Sequence, residues 1–374
     1  MKRLLLTCTD LMAIQFMVPH IKYLSENGFS VKLACSVVGD RLSDLKEALD
    51  GVAEIETVRL VRSPFAVSNL NGLKDLKRII NREKWDVIWT NEPVMGIMTR
   101  LAAKNARKRG TKVVYMVHGF HFYKGAPLLN WLLFYPVEKY CSRFSDMIIT
   151  INNEDFELAK TLHAKKVEKI DGIGVNTEKF MRCSDECTGK RAELGIPENA
   201  FLLLSAGELQ PRKNHEVIIR ALGELKNQNI YYGICGKGDL LEHLKQVAIQ
   251  CGVASNVKFF GYRKDLPEIF HCGNAFAHPS AREGLGLALL EAMAGGLPPI
   301  ASKVGGITDY IINNENGFLY DKNDVKGFAE GINRYYSSNE LCEKIAEKCS
   351  ETVKKYDINV IKVRIYSIME SLLK

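Results

Sequence analysis

Short segments rich in Val, Ile and Leu, apolar throughout, recur along the chain, and each is followed by a longer stretch with helical spacing. A strand that is apolar on both sides must be covered on both sides, and an intervening helix lets the next strand run parallel. The pattern therefore predicts open parallel sheets flanked by helices. Strands are expected at 3–8, 31–36, 54–58, 87–90, 112–117 and 147–151, and helices at 13–27, 70–81, 96–109 and 154–163. A polar stretch at 172–199, holding Gly189, Gly195 and Pro197, breaks the alternation. It then restarts, with strands at 201–206, 230–235, 257–260, 275–278 and 299–302 and helices at 215–227, 239–251, 287–294 and 325–336. The fold class is α/β: two Rossmann-like, doubly wound units joined near 175–195, without a short sequence repeat. The tail from Glu340 to Lys374 reads as two helices with a weak break at Tyr356–Asp357.

Composition narrows the class. With 374 residues, 46% of them hydrophobic and 25% charged, the chain has an ordinary globular make-up. No apolar run approaches the ~18–20 residues of a spanning helix. Lys2 and Arg3 precede only three leucines before polar residues intervene, which is too short for a secretory signal. The ten cysteines include no Cys-x-x-Cys pair, the closest spacings being Cys183/Cys187 and Cys342/Cys349. Reduced thiols in a cytoplasm are expected, with no zinc site or disulfide framework. The +7 formal charge lies in residues 1–170, the remainder being close to neutral. That half faces either something anionic or only solvent.

Ligands of open parallel sheets sit beyond the carboxyl ends of the strands. The segment with most chemistry there is His278-Pro-Ser-Ala-Arg-Glu-Gly-Leu-Gly-Leu-Ala-Leu-Leu-Glu-Ala-Met-Ala-Gly-Gly-Leu-Pro298. A strand ends near His278 and a helix begins near Gly286. Gly284 and Gly286, with Leu285 and Leu287, offer unshielded N–H groups where the helix dipole is positive, a site suited to a diphosphate. Glu283 precedes the helix. Glu291 lies inside it, between Ala-Leu-Leu and Ala-Met-Ala, and a carboxylate in such company needs a partner. Carboxylates suit the vicinal hydroxyls of sugars, so the segment fits hexose, diphosphate and ribose in turn. Arg212 and Lys213 follow a strand and precede a helix, where a cation can neutralise a leaving diphosphate. Gly236-Lys-Gly238 opens a helix after a strand, in itself a weak signal.

This segment resembles the signature of the family-4 retaining glycosyltransferases, whose hallmark of Glu, seven residues, Glu falls on Glu283 and Glu291. Gly207-Glu-Leu-Gln-Pro-Arg-Lys-Asn-His215, His118-Gly-Phe-His-Phe-Tyr-Lys-Gly-Ala-Pro127, Gly261-Tyr-Arg-Lys-Asp265 and Gly305-Gly-Ile-Thr-Asp309 agree with it. The resemblance spans nearly the whole chain. It implies the GT-B fold, two such domains facing a cleft: an acceptor-side domain over 1–180, a nucleotide-sugar domain over 181–355, and a helix over 356–374 returning to the first. It implies catalytic roles for His118, against the donor hexose, for Lys213, at the diphosphate, and for Glu283. Arg212, Gly236, Tyr262, Arg263, Gly284, Leu285, Gly286, Leu287 and Glu291 are implied around the nucleotide. His121 is a weaker neighbour of His118, and Tyr123 and Lys124 fall on the acceptor side. The family often carries Arg where this chain has Glu208; Arg212 is the substitute, and a polysaccharide-assembly subgroup shares the Glu form.

The implied reaction moves a hexose or N-acetylhexosamine, with retention, from a nucleotide sugar, with UDP expected, to a saccharide or lipid-diphosphate-linked acceptor. No Asp-x-Asp and no clustered metal ligands occur in the sequence, so neither metal nor other cofactor is expected. The acceptor's proton would pass to the departing diphosphate. The run Trp131–Tyr135 covers every side of a helix and suits either a core or a helix dipping into an interface, which keeps contact with an anionic membrane open. Three rivals are a non-hydrolysing UDP-sugar epimerase of similar fold, a nicotinamide dehydrogenase and a non-enzymatic anion binder. The dehydrogenase lacks a Gly-x-Gly-x-x-Gly after the first strand. The anion binder leaves Glu283 and Glu291 unexplained, and nucleic acid is not expected as a partner.

Overall fold

The computed structural model describes residues 1–38, 42–181 and 189–374, with backbone only for Asp10 and Met12. Cys183 and Cys187 lie outside the described residues. The chain divides into two units, Met1–Gly174 with Ile358–Lys374, and Val175–Asp357. The division thus falls at 174/175 rather than at 180/181.

The first unit holds seven parallel strands: β1 (Lys2–Asp10), β2 (Phe29–Val38), β3 (Ala53–Thr57), β4 (Val87–Asn91), β5 (Lys112–Val117), β6 (Met147–Thr150) and β7 (Lys166–Lys169). Their order is β3-β2-β1-β4-β5-β6-β7. Leu4, Leu5, Leu6, Ile88 and Trp89 have no exposed surface, because the central strands are covered on both faces. The sequence pattern misses β7, whose Lys-Val-Glu-Lys has one apolar residue. It is an edge strand, paired only with β6, so one flank meets solvent and apolar residues are not required. The helix expected at 96–109 is two helices, Pro93–Ala102 and Lys104–Lys108, parted at Ala103.

The second unit has six parallel strands: β8 (Phe201–Ala206), β9 (Ile230–Cys235), β10 (Val257–Gly261), β11 (Ala275–His278), β12 (Pro299–Ser302) and β13 (Phe318–Tyr320), in the order β10-β9-β8-β11-β12-β13. The short edge strand β13 is the second that the pattern misses. The order reverses between β8 and β11, which pair at Leu203 with Ala275 and at Leu204 with Phe276. This is the switch point at which such sheets open a ligand crevice.

The tail is a helix at Asn339–Val353, a single 3₁₀ turn at Lys354–Tyr356, and a helix at Ile358–Ser371. The break falls where the sequence puts it. Ile361, Ile365, Ile368 and Met369 are buried in the first unit, next to the helix Val18–Glu26. Tyr366 meets Tyr23 edge-on at 5.9 Å.

The helix Leu128–Ser142 resolves the ambiguous run. Trp131, Phe134 and Tyr135 pack on a buried cluster of Tyr115, Phe120, Phe122 and Ile148. Leu132 and Leu133 point away from it, with 64% and 41% of their surface exposed. The run is thus half core and half surface.

Candidate active site

The site is built on loops that leave β8, β11 and β12 at their carboxyl ends. After β8 the chain turns through Gly207 into the 3₁₀ turn Pro211–Lys213, then into the helix His215–Leu225. Asn214 joins them in the left-handed region, with φ of 53°. Its side-chain amide donates to the Pro279 carbonyl at 3.1 Å, and the Ala281 N–H donates to the Arg212 carbonyl at 2.8 Å. The loops after β8 and β11 are therefore stitched together, and Lys213 comes to Glu283.

Glu283 is the hub. One of its carboxylate oxygens accepts from Lys213 Nζ, from Arg212 Nη1 at 3.2 Å and from Ser280 Oγ at 3.1 Å, with His278 Nε2 at 3.3 Å. Burial alone would raise its carboxyl, but the His278 hydrogen bond and the Lys213 charge outweigh burial and hold it well below the ordinary range. Two cations against one carboxylate leave the cluster net positive. Burial lowers the His278 imidazole, against the hydrogen bond to Glu283.

Beyond Glu283, the backbone of Gly284 and Leu285 leads to Gly286, whose φ is 85°, and the helix Leu287–Ala294 begins. Tyr310 donates from its hydroxyl to the Leu285 carbonyl at 2.8 Å. Gly305, with φ of 44°, presses on the same turn: a Cβ there would lie 2.0 Å from the Glu283 carbonyl oxygen. The helix start, the two cations and the fixed turn form one anion-ready surface.

Glu291, on that helix, makes no side-chain hydrogen bond among the described residues. Burial pushes its carboxyl up to about 7 against the opposing charge of Lys179. Partial burial thus places this carboxylate at energetic expense, and among the described residues no side-chain hydrogen bond offsets it.

The remaining expected residues separate into groups. Gly236 has a packing reason, since a Cβ would lie 1.8 Å from the Gly207 carbonyl oxygen. Tyr262 is half exposed. Arg263 is committed to carboxylates, giving Nη2 to Glu193 at 2.7 Å and Nε to Asp265 at 2.8 Å. Glu208 is exposed, while Arg212 reaches Glu283.

His118 belongs to the first unit. It follows β5, with Nε2 3.1 Å from Asn91 Oδ1 at the end of β4, and burial lowers it to about 4, so the imidazole is neutral at pH 7. His121, Tyr123 and Lys124 are engaged in tying down their loop. The His121 carbonyl accepts from Asn130, the Tyr123 carbonyl from Trp131 Nε1, and the Lys124 N–H donates to Glu154.

Sequence reasoning missed several residues. His278 and Ser280 open the motif but read only as a strand end and a loop. Tyr310, in a segment quoted only up to Asp309, carried no signal. Next to Asn91, Glu92 holds a φ of 64°, rare for a side chain, while its carboxylate accepts from the Thr9 N–H at 2.6 Å. The following Pro93 steers Glu92 away from helix but does not call for a positive φ, so no local signal marked it.

Residues 188–352 match the family described as Glycosyl transferases group 1, and residues 9–152 the family described as Glycosyl transferase 4-like. The EpsD protein of Bacillus subtilis (strain 168), whose name places it among glycosyltransferases, is 36% identical over 91% of this chain and 89% of its own length. The chain belongs to the family-4 glycosyltransferases. A second relative is the UDP-Gal:alpha-D-GlcNAc-diphosphoundecaprenol alpha-1,3-galactosyltransferase of Escherichia coli, 29% identical over 84% of this chain and 82% of its own. Among solved structures, Anabaena HepE in complex with UDP superimposes with a TM-score of 0.84, at 20% identity, covering 99% of this chain and 100% of HepE. WaaG, a glycosyltransferase involved in lipopolysaccharide biosynthesis, superimposes at 0.73 with 17% identity, covering 98% of this chain and 99% of WaaG. The fold of this glycosyltransferase is therefore GT-B.

Proposed function

We propose that this glycosyltransferase moves a hexose or N-acetylhexosamine from a UDP-sugar, with retention and without a metal, to a saccharide carried on a lipid diphosphate, in surface-polysaccharide synthesis. The observation that carries the reading is the convergence of Lys213 and Arg212 on Glu283, directly before the start of the helix Leu287–Ala294. Lys213, Arg212 and the N–H groups of Gly284–Leu287 meet the diphosphate as it departs, which is the role a metal would otherwise fill. Glu283 holds Lys213 in place and accepts from a hexose hydroxyl. Glu291 accepts from the ribose. The neutral His118, whose Nε2–H is given to Asn91 Oδ1, accepts from a hexose hydroxyl at Nδ1.

Retention follows if the acceptor hydroxyl attacks C1 on the face from which the diphosphate leaves. The bond from C1 to the phosphate oxygen breaks, the bond from C1 to the acceptor oxygen forms, and the acceptor's proton passes to the departing phosphate oxygen. No protein base is then needed. UDP is favoured because HepE was solved with it and with UDP-glucose. A lipid-diphosphate acceptor is favoured by the printed name of the Escherichia coli relative. Such an acceptor would place the reaction at a membrane surface.

The test is a panel of UDP-sugars with a lipid-diphosphate saccharide acceptor, in EDTA, with products read by mass and by the NMR anomeric coupling. A heavier glycolipid with the donor's anomeric configuration is expected. Conversion of donor alone into an epimer would instead establish the epimerase, and activity only on restoring a divalent cation would end the metal-free reading.

A further inference from the structure

The turn through Gly284, Leu285 and Gly286 contains a loose joint. Gly286 sits at φ of 85°, and glycine tolerates the opposite sign of φ about as well. The peptide plane between Leu285 and Gly286 can therefore flip at little local cost. A trans peptide points its carbonyl and its N–H in opposite directions. One orientation offers the Gly286 N–H to an anion. The other offers the Leu285 carbonyl oxygen, which repels it. Nothing in the glycine-rich loop itself chooses between the two, so the choice falls to a contact from elsewhere in the fold.

Tyr310 supplies that contact. Its hydroxyl donates to the Leu285 carbonyl at 2.8 Å, which pins the oxygen on the Tyr310 side and turns the Gly286 N–H away from it. No acceptor among the described residues takes that N–H. The hydroxyl also crowds the glycine, since a Cβ on Gly286 would lie 3.1 Å from it. Tyr310 is itself immobilised. It is buried, its ring meets that of Tyr356 edge-on at 5.4 Å, and its carbonyl accepts from Asn316 Nδ2 at 2.7 Å. The same amide donates to Thr352 Oγ1 at 2.9 Å. Burial, and then the nearby Tyr356, Glu283 and Asp309, push the Tyr310 phenol well above its ordinary range, so it keeps its proton and remains a donor.

We propose that Tyr310 is a positioning residue for the departing diphosphate: it selects the peptide orientation in which the Gly286 N–H, rather than the Leu285 carbonyl oxygen, faces the anion. It touches no substrate and acts through the turn. The proposal rests on the reading that a diphosphate occupies this turn, and it names what keeps the turn receptive. The rival is a hydroxyl that only stabilises the fold. Tyr335 is the matched case for that rival. It is wholly buried in the same unit, and its hydroxyl donates to the Pro299 carbonyl at 3.1 Å, at the amino end of β12 and so at the opposite end of the sheet from the site.

The test compares Tyr310→Phe with Tyr335→Phe in the whole chain, in EDTA, with UDP binding measured by calorimetry and uridine binding by saturation-transfer NMR. Each variant keeps its ring and loses one buried hydrogen bond, so both are expected to fold and to melt a few degrees lower. A hydrogen bond to a charged group is worth roughly tenfold in affinity or more. Tyr310→Phe is therefore expected to weaken UDP about tenfold or more while uridine stays within about twofold of wild type. Tyr335→Phe is expected to leave both affinities unchanged. Wild-type UDP affinity in Tyr310→Phe, or an equal loss of UDP and uridine, would overturn the proposal. So would the same UDP loss in Tyr335→Phe, which marks a general loosening of the unit. A wild-type chain that binds UDP no more tightly than uridine would end the diphosphate reading itself, and leave Tyr310 nothing to position.

Discussion

Lys213 and Glu291 illustrate opposite ways of using a buried charge. Lys213 is held by Glu283, and in the proposed reaction negative charge develops beside it on the departing diphosphate. Lys213→Ala is expected to lower kcat by roughly a hundredfold or more with a smaller change in donor KM, as measured by steady-state kinetics. Glu291 is the reverse, a carboxylate raised to about 7 from 4.5 by burial. Its folded form keeps a proton that the unfolded form has lost between those two values. Stability is therefore highest on the acid side and falls as pH rises through the window. Glu291→Gln is expected to raise the melting temperature at pH 8, by about 1–3 kcal/mol in stability, and to weaken UDP binding. In calorimetry, wild-type UDP affinity should drop below pH 7 and the variant's should not. Glu291 stood out in the sequence as a charge in apolar company, and Lys213 as half of a basic pair between a strand and a helix. That Lys213 and Arg212 share one oxygen of Glu283 was not, because it depends on β8 lying beside β11, and strand order is not written in a local pattern.

At the scale of elements, wholly apolar strands announced themselves, whereas β7 and β13 did not. An edge strand has one open flank and needs few apolar residues, so its composition drifts toward that of a loop. Turns show a related limit. Gly305 is conspicuous only as part of a motif, yet its missing Cβ is what lets the Glu283 carbonyl approach. Gly305→Ala is expected to push the Glu283 turn outward and cut transfer at least tenfold, with a destabilisation of about 1–3 kcal/mol readable in urea denaturation. Glu138→Ala, which strands the buried Arg100 without its partner, is expected to cost about 3–5 kcal/mol in the same assay. The helix carrying Glu138 also shows why an all-round apolar run misleads. Composition could not tell which side a single buried acid would claim.

The whole molecule depends on its last residues. Ile361, Ile365, Ile368 and Met369 complete the first unit's core. A chain ending at Asp357 is expected to melt at a lower temperature and to bind a dye for exposed apolar surface, and calorimetry should show the loss confined to one of two transitions. No helix among the described residues is long and apolar enough to cross a membrane.

Because Met1–Gly174 needs Ile358–Lys374 to be whole, the chain leaves that unit and comes back to it. Gly174, whose Cβ would strike Ile358, marks the junction. During synthesis, then, the half that begins first finishes last. Val175–Asp357 can close its sheet while the earlier seven strands still wait at the ribosome for a helix not yet translated. Termination anywhere within the codons for Ile358–Lys374 would leave the later-starting half intact and the earlier one unfinished.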